Sequence, residues 1–206
     1  GIGDYGDIRL FPSVGKIKTD VYYDENYVKG YGSHFLHSME KSDPGYYAVY
    51  MGENDIYASL TATEHSGFHK YMFPNSDSAH ILLDLVESVV SERINGSQIK
   101  IINDSTIGGY RHTTAWANDQ YLYFYAEFSR PFKSWGIEQN GVKSANLQSS
   151  TGGNLKAWFN FDTDAKEIVL VKLGISSVDI EGAKNNLQQE IPHWDFSKTR
   201  AEARNK

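Results

Sequence analysis

The chain has 206 residues, 40% hydrophobic and 22% charged, a length and balance that fit one globular domain and exclude a disordered or collagen-like chain. Its formal net charge of −6 points away from nucleic-acid binding, and no stretch approaches the ~18 apolar residues of a membrane-spanning helix. With no cysteine, disulfides, thiolate nucleophiles and Cys-ligated zinc are excluded.

From the N-terminus, Asp7 to Phe11 alternates apolar and polar, which predicts a strand stopping at Pro12. Period-two runs follow at 46–51, 56–63, 68–73 and 79–85. Turn signals separate them, such as Asp43-Pro44-Gly45 and Pro74-Asn75-Ser76-Asp77. Further strand-like runs occupy 98–102, 106–112, 121–128, 155–161 and 167–173. Short, regularly punctuated strands predict an all-β, antiparallel sandwich or barrel rather than βαβ units.

In the run Tyr121 to Phe128, Leu122, Phe124, Ala126 and Phe128 form one face, expected in the core. Tyr121, Tyr123, Tyr125 and Glu127 form the other, too apolar for a fully solvated surface. The chain is rich in aromatic residues, with 14 Tyr and 10 Phe. They suit strands first, and sugar binding second.

The period changes near residue 179. Ile180, Ala183, Leu187 and Ile191 have helical spacing, with Pro192 as terminator. Trp194 to Lys206 reads as a second helical segment with little apolar stripe, like the opening turns of a linker.

Catalytic motifs are sparse. Gly1-Ile2-Gly3-Asp4-Tyr5-Gly6 spells the dinucleotide pattern, but no strand precedes it and no helix follows. His65 and His69 would share a helical face. In a strand, where His69 is expected, that spacing spans ~13 Å, too far for one ion. The Gly-x-Ser-x-Gly elbow of serine hydrolases is absent.

Several stretches nevertheless resemble one family. They are Gly1 to Ile8 with the following Pro12; Ser42-Asp43-Pro44-Gly45-Tyr46-Tyr47-Ala48-Val49-Tyr50; and Leu60 to Tyr71. They continue with Gly109-Tyr110-Arg111-His112, Trp116-Ala117 and Gln120; Phe128-Ser129-Arg130-Pro131-Phe132; Gly174 to Val178; and Ala183 to Leu187. In this order they resemble the N-terminal domain of glycoside hydrolase family ninety-two, the calcium-dependent α-mannosidases.

That resemblance implies a galactose-mutarotase-like supersandwich over residues 1–178 and the start of a helical linker over 179–206. It implies a parent enzyme that hydrolyses the α-mannosides of glycans such as N-glycans with inversion, in the periplasm or outside the cell. The family's general acid, paired carboxylates and Ca2+ belong to an (α/α)6 barrel beyond the linker, so no catalytic residue, metal site or cofactor is expected within this chain. Members also carry an Asn-Pro-Phe-Ile-Gly-Thr stretch upstream of the region where this chain starts. The chain is therefore expected to be an internal piece, inactive alone, whose partners are the barrel and the glycan. With a sheet edge and an apolar face uncovered, it is also expected to self-associate.

The candidates for the pocket or the barrel interface are Asp4, Tyr5, Asp7, Arg111 and Trp116, with purely structural roles as the competing explanation. The alternative to the enzyme piece is a stand-alone carbohydrate-binding or structural sandwich. Exposed coplanar rings in a groove would favour binding, and a broad apolar face would favour a structural role.

Overall fold

A computed structural model describes residues 7–24, 27–87, 93–115 and 117–206. The strands in chain order are β1 (Arg9–Ser13), β2 (Val21–Asp24), β3 (Tyr27–Gly30), β4 (Glu40–Asp43), β5 (Tyr46–Met51), β6 (Ile56–Ala62), β7 (Ser66–Phe73) and β8 (Ser76–Asp84). They continue as β9 (Arg93–Asn103), β10 (Thr106–Thr114), β11 (Gln120–Phe128), β12 (Ser134–Gln139), β13 (Val142–Ala145), β14 (Ser149–Gly152), β15 (Leu155–Thr163) and β16 (Glu167–Ser176). Helices α1 (Ile180–Glu190) and α2 (Phe196–Arg204) close the chain.

Two antiparallel sheets stack on each other. One has the order β1-β8-β15-β12-β13, and the other β14-β9-β10-β11-β16-β7-β6-β5-β4; β2 and β3 form a separate ribbon. Side-chain alternation builds the layer between them. Ile81 and Leu83 of β8 and Phe159 and Phe161 of β15 meet Tyr71 and Phe73 of β7, Val169 and Val171 of β16, and Phe124 and Phe128 of β11. Each such fully buried side chain contributes about 1.5–3 kcal/mol of burial. The all-β expectation, with helix mainly after residue 178, describes this architecture; only short 3-10 turns at His37–Met39 and Gly52–Asn54 precede it among the described residues.

β8 and β15 are buried on their second face as well. There Leu82 and Trp158 pack against Tyr31, Ile17 and Val21. This is why residues 81–83 are apolar without a break. β1 runs through Pro12, opposite Ile81, instead of stopping at it. β1 is the edge of its sheet, the place where a strand tolerates proline. β2–β4 and β12–β14 were not expected: they are short, and their polar, Gly- and Ser-containing segments show no period-two run.

The outer face of the nine-stranded sheet carries both helices. Asp179 caps α1 by accepting the Gly182 N–H at 2.6 Å. Ala183, Leu187 and Ile191 then bury Phe68 and Tyr125 together with Phe196. The helix sits so close that a Cβ on Gly174 would lie 2.2 Å from the Ala183 carbonyl oxygen. The expected tyrosine face is therefore divided: Tyr125 is buried under α1, and Tyr121 is 38% exposed.

α2 is also seated on the sheet, which its sparse apolar stripe did not suggest. Phe196 packs edge-on to Phe68 with ring centroids 5.4 Å apart. The Arg200 guanidinium lies 3.7 Å from the centre of the Tyr46 ring and donates to Asp43. The Lys172 ammonium lies 4.3 Å from the Trp194 ring. Cation–aromatic contacts thus do part of the work of an apolar stripe. No helix among the described residues is long and apolar enough to cross a membrane.

Candidate functional site

Arg111 lies on β10 directly opposite Leu122 of β11 and is buried, as is Asp7, which precedes β1. Its Nη1 donates to Asp7 Oδ1 at 2.5 Å, and its Nε donates to the Leu85 carbonyl at 2.9 Å, just past the end of β8. Gln120 Nε2 reaches the other Asp7 oxygen at 3.4 Å. Burying a guanidinium is costly unless a carboxylate and further acceptors compensate it, and this geometry supplies both. The pair ties the start of the chain to both sheets at one end of the sandwich. Of the five sequence candidates the structure brings together Asp7 and Arg111; Asp4, Tyr5 and Trp116 lie outside the described residues.

Beside this pair a cavity of about 250 Å³ opens at the same end. Ile8, Leu122, Leu173 and Ile175 line its floor, and the β6–β7 turn at 63–66 forms its rim. Glu190, at the end of α1, clamps that turn. One Glu190 oxygen accepts from the Thr63 hydroxyl and the His65 N–H, and the other meets His65 Nδ1 at 2.7 Å. Burial alone would raise the Glu190 pKa, but the bonds from Thr63 and His65 outweigh it and hold the carboxyl below its usual range.

Glu64, His65 and Glu190 offer ligand atoms within 4.8 Å of one another. The set does not fit calcium, which takes six to eight oxygens: one member is an imidazole, and Glu190 is already engaged. No sequence motif pointed to this cluster, because Glu190 lies 125 positions beyond His65.

His69 does not join His65. Its ring faces the core between Leu60 and Val171, and its Nδ1 meets the Tyr71 hydroxyl at 2.8 Å. Burial pushes its pKa down to about 4, so it is neutral at neutral pH. A further buried polar cluster sits on the far side of the five-stranded sheet. Asp84 accepts the Tyr31 hydroxyl at 2.6 Å, and Lys156 Nζ lies 3.4 Å away and donates to the Thr19 carbonyl. Burial and the Asp84 carboxylate push the Tyr31 phenol up. The cluster pins the covering segment to the sheet.

The aromatic residues of β10 and β11 at this end close on one another. His112 stacks on Tyr121 at 3.9 Å with rings 10° from parallel, and Tyr123 follows 6.0 Å from Tyr121. His112 Nε2 is held by Asp119 at 2.6 Å. One face of the Tyr121 ring is covered by imidazole, so the rings do not form the open row that a sugar chain would lie along.

Comparison with known proteins gives a consistent family. The model of the glycosyl hydrolase family 92 N-terminal domain matches residues 1–176. The family GH92 α-mannosidase BT3965 of Bacteroides thetaiotaomicron superposes with a TM-score of 0.89 at 31% identity, over 98% of this chain and 28% of that one. The inverting mannosidase BT2199 of the same species shares the fold, with a TM-score of 0.80 at 21% identity over 96% of this chain and 25% of that chain. A protein of Arthroderma benhamiae described as an uncharacterized secreted glycosidase is 25% identical over 195 residues, covering 82% of this chain and 24% of its own length. The chain thus spans about a quarter of the length of these relatives.

Proposed function

The chain belongs to the glycosyl hydrolase family 92 N-terminal domain family, and from that premise we propose that it is the non-catalytic sandwich of an inverting α-mannosidase. The observation that carries this reading is the match of 98% of the chain to 28% of a family mannosidase at 31% identity, together with the family model of an N-terminal domain over residues 1–176. In this reading residues 1–178 form the sandwich and residues 179–206 begin the connection to the catalytic part.

The chemistry then belongs to residues beyond this chain. One carboxylic acid protonates the leaving oxygen, and a carboxylate activates water on the opposite face of the sugar. Calcium, where the parent uses it, is held there as well. The sandwich supplies position, with the end of the fold built around Asp7 and Arg111 as the part that faces the substrate pocket. The secreted relative supports export of the parent, to the periplasm or the medium. A structural role fits the rings of Tyr121 and Tyr123 better than a stand-alone sugar-binding role, since they pack against each other and His112.

The test is an assay of the parent polypeptide beside this chain. The parent should release mannose from α-mannosides, with the β-anomer as first product by NMR, and the 206-residue chain should release none. Mannose release by the chain alone would overturn the assignment.

A further inference from the structure

We propose that Glu64 and His65 on the β6–β7 turn and Glu190 at the end of α1 bind a zinc ion. Each offers one ligand atom, and the three atoms lie within 4.8 Å of one another. One imidazole nitrogen and two carboxylate oxygens, with water in the fourth position, are donors that tetrahedral zinc accepts. The imidazole sets the site apart from calcium and magnesium, which take oxygen ligands.

The ligands are already placed. Glu190 Oε2 accepts from the Thr63 hydroxyl and the His65 N–H. Its Oε1 is left facing His65 Nδ1 at 2.7 Å. Hydrogen bonds to the second oxygen of a carboxylate are what orients it toward a metal on the first. The same bonds keep the Glu190 carboxyl below its usual range, so it is ionised at neutral pH. Donor atoms on one tetrahedral zinc stand about 3.3 Å apart. The Oε1–Nδ1 pair therefore has only to open by ~0.6 Å, with the imidazole proton on Nε2. Glu64 and His65 are exposed, so both side chains are free to adjust. Glu64 gives up Lys206, whose Nζ lies 3.4 Å away in an exposed pair of little energetic weight.

The same turn holds a polar group that calls for a ligand. Ser66 is buried, and its hydroxyl has no hydrogen-bond partner among the protein groups. Ser66 stands opposite Gly174 of β16, which faces α1, so its side chain lies on the side of the sheet that carries Glu190. Buried hydroxyls without a partner are rare, and a water held on zinc supplies one. The ion would join side chains 125 positions apart and fasten the end of α1 to the sheet. Because the ligands converge only in the fold, zinc binding stabilises the folded chain by mass action.

The test titrates zinc chloride into the 206-residue chain by isothermal calorimetry, with no histidine tag and after treatment with EDTA. One zinc should bind per chain and raise the melting temperature. Glu64→Gln, on the exposed rim, leaves the bonds from Glu190 to the turn intact and should weaken binding by at least ~10-fold. His65→Ala should weaken it as much. His37→Ala removes another exposed histidine that pairs with a glutamate, and should leave the affinity unchanged. Circular dichroism of each variant verifies folding. With Co2+ in place of zinc, the intense visible absorption of a tetrahedral site should appear in the unsubstituted chain and vanish in Glu64→Gln. Absence of zinc binding, binding that both folded site variants retain, or binding lost in His37→Ala would overturn the site. So would displacement of the zinc by excess calcium, because the donors would then be oxygens alone.

Discussion

Asp7 and Arg111 stand 104 positions apart and meet as a buried ion pair at 2.5 Å, with Arg111 also bonded to the carbonyl of Leu85. Three separate parts of the chain are thereby joined at one end of the sandwich. The pair fixes the segment that enters β1 against both sheets.

Arg111→Met should therefore be severe. It removes the partner of a buried carboxylate, a loss that costs about 3–5 kcal/mol. Asp7→Asn keeps the shape and leaves the guanidinium with a neutral acceptor, so its cost should be smaller. The double change Asp7→Leu with Arg111→Met should recover much of the loss, because neither charge is left stranded. Urea denaturation of the unsubstituted protein, Asp7→Leu, Arg111→Met and the double variant closes the cycle and measures the coupling, and strictly additive losses would show that the two residues are energetically independent.

Acid should destabilise the sandwich in a defined window. The His69 pKa is about 4 in the fold against 6.5 for the free side chain, because burial disfavours its charged form. Burial also lowers His80, although its bond to the Ser78 carbonyl opposes the shift. Between pH 6.5 and 4 the unfolded chain takes up protons that the folded chain does not. The contribution of His69 is thus full above pH 6.5 and falls through that window, by at most about 1.4 kcal/mol per pH unit. His69→Gln should flatten the pH dependence there. An unchanged slope would mean that His69 is not held neutral.

The alternating residues of β11 could be read directly from sequence, since Phe124, Ala126 and Phe128 enter the core where period two places them. The edge strand through Pro12 could not, because proline normally argues against a strand and only its edge position makes it harmless. α2 was underestimated for a different reason: its contacts are Arg200 on Tyr46 and Phe196 on Phe68, cross-element pairs that a stripe pattern does not register. The site shows the same limit. Arg111 and Asp7 were visible as candidates through resemblance, but Glu190 was not, since its partners Thr63 and His65 lie on a turn more than half the chain away.

Glu190 should also be an acid-sensitive clamp. Its carboxyl is held below the usual 4.5 by Thr63 and His65 despite partial burial. The stability it contributes is present above about pH 4.5 and is lost as pH falls through its lowered value. This window meets that of His69 only at its lower end, so His69→Gln and Glu190→Ala separate the two contributions. Glu190→Ala should cost about 0.5–1.5 kcal/mol, because the bonds from the Thr63 hydroxyl and His65 N–H are lost at a site that water can reach. It should also raise amide exchange in residues 63–66 selectively. Unchanged exchange at that turn would mean that the β6–β7 hairpin holds its shape unaided.

The last prediction concerns how closely α1 approaches the sheet. Gly174 of β16 faces the helix, and a Cβ there would lie 2.2 Å from the Ala183 carbonyl oxygen and 2.8 Å from the Leu187 Cβ. The first contact is with backbone, so no rotamer change relieves it. In Gly174→Ala either the strand or the helix must move, at a cost of about 1–3 kcal/mol as for other overpacked sites. The helix is the weaker element: it is held by one face, whereas β16 is hydrogen-bonded on both sides, to β11 and β7. Displacement of α1 should uncover Tyr125 and Phe68, loosen Glu190 from the β6–β7 turn and open the rim of the cavity. Exchange should therefore rise together in residues 63–66 and 180–190 while the core strand β8 stays protected. A variant with native stability and native exchange in both segments would show that α1 does not need the missing side chain at Gly174.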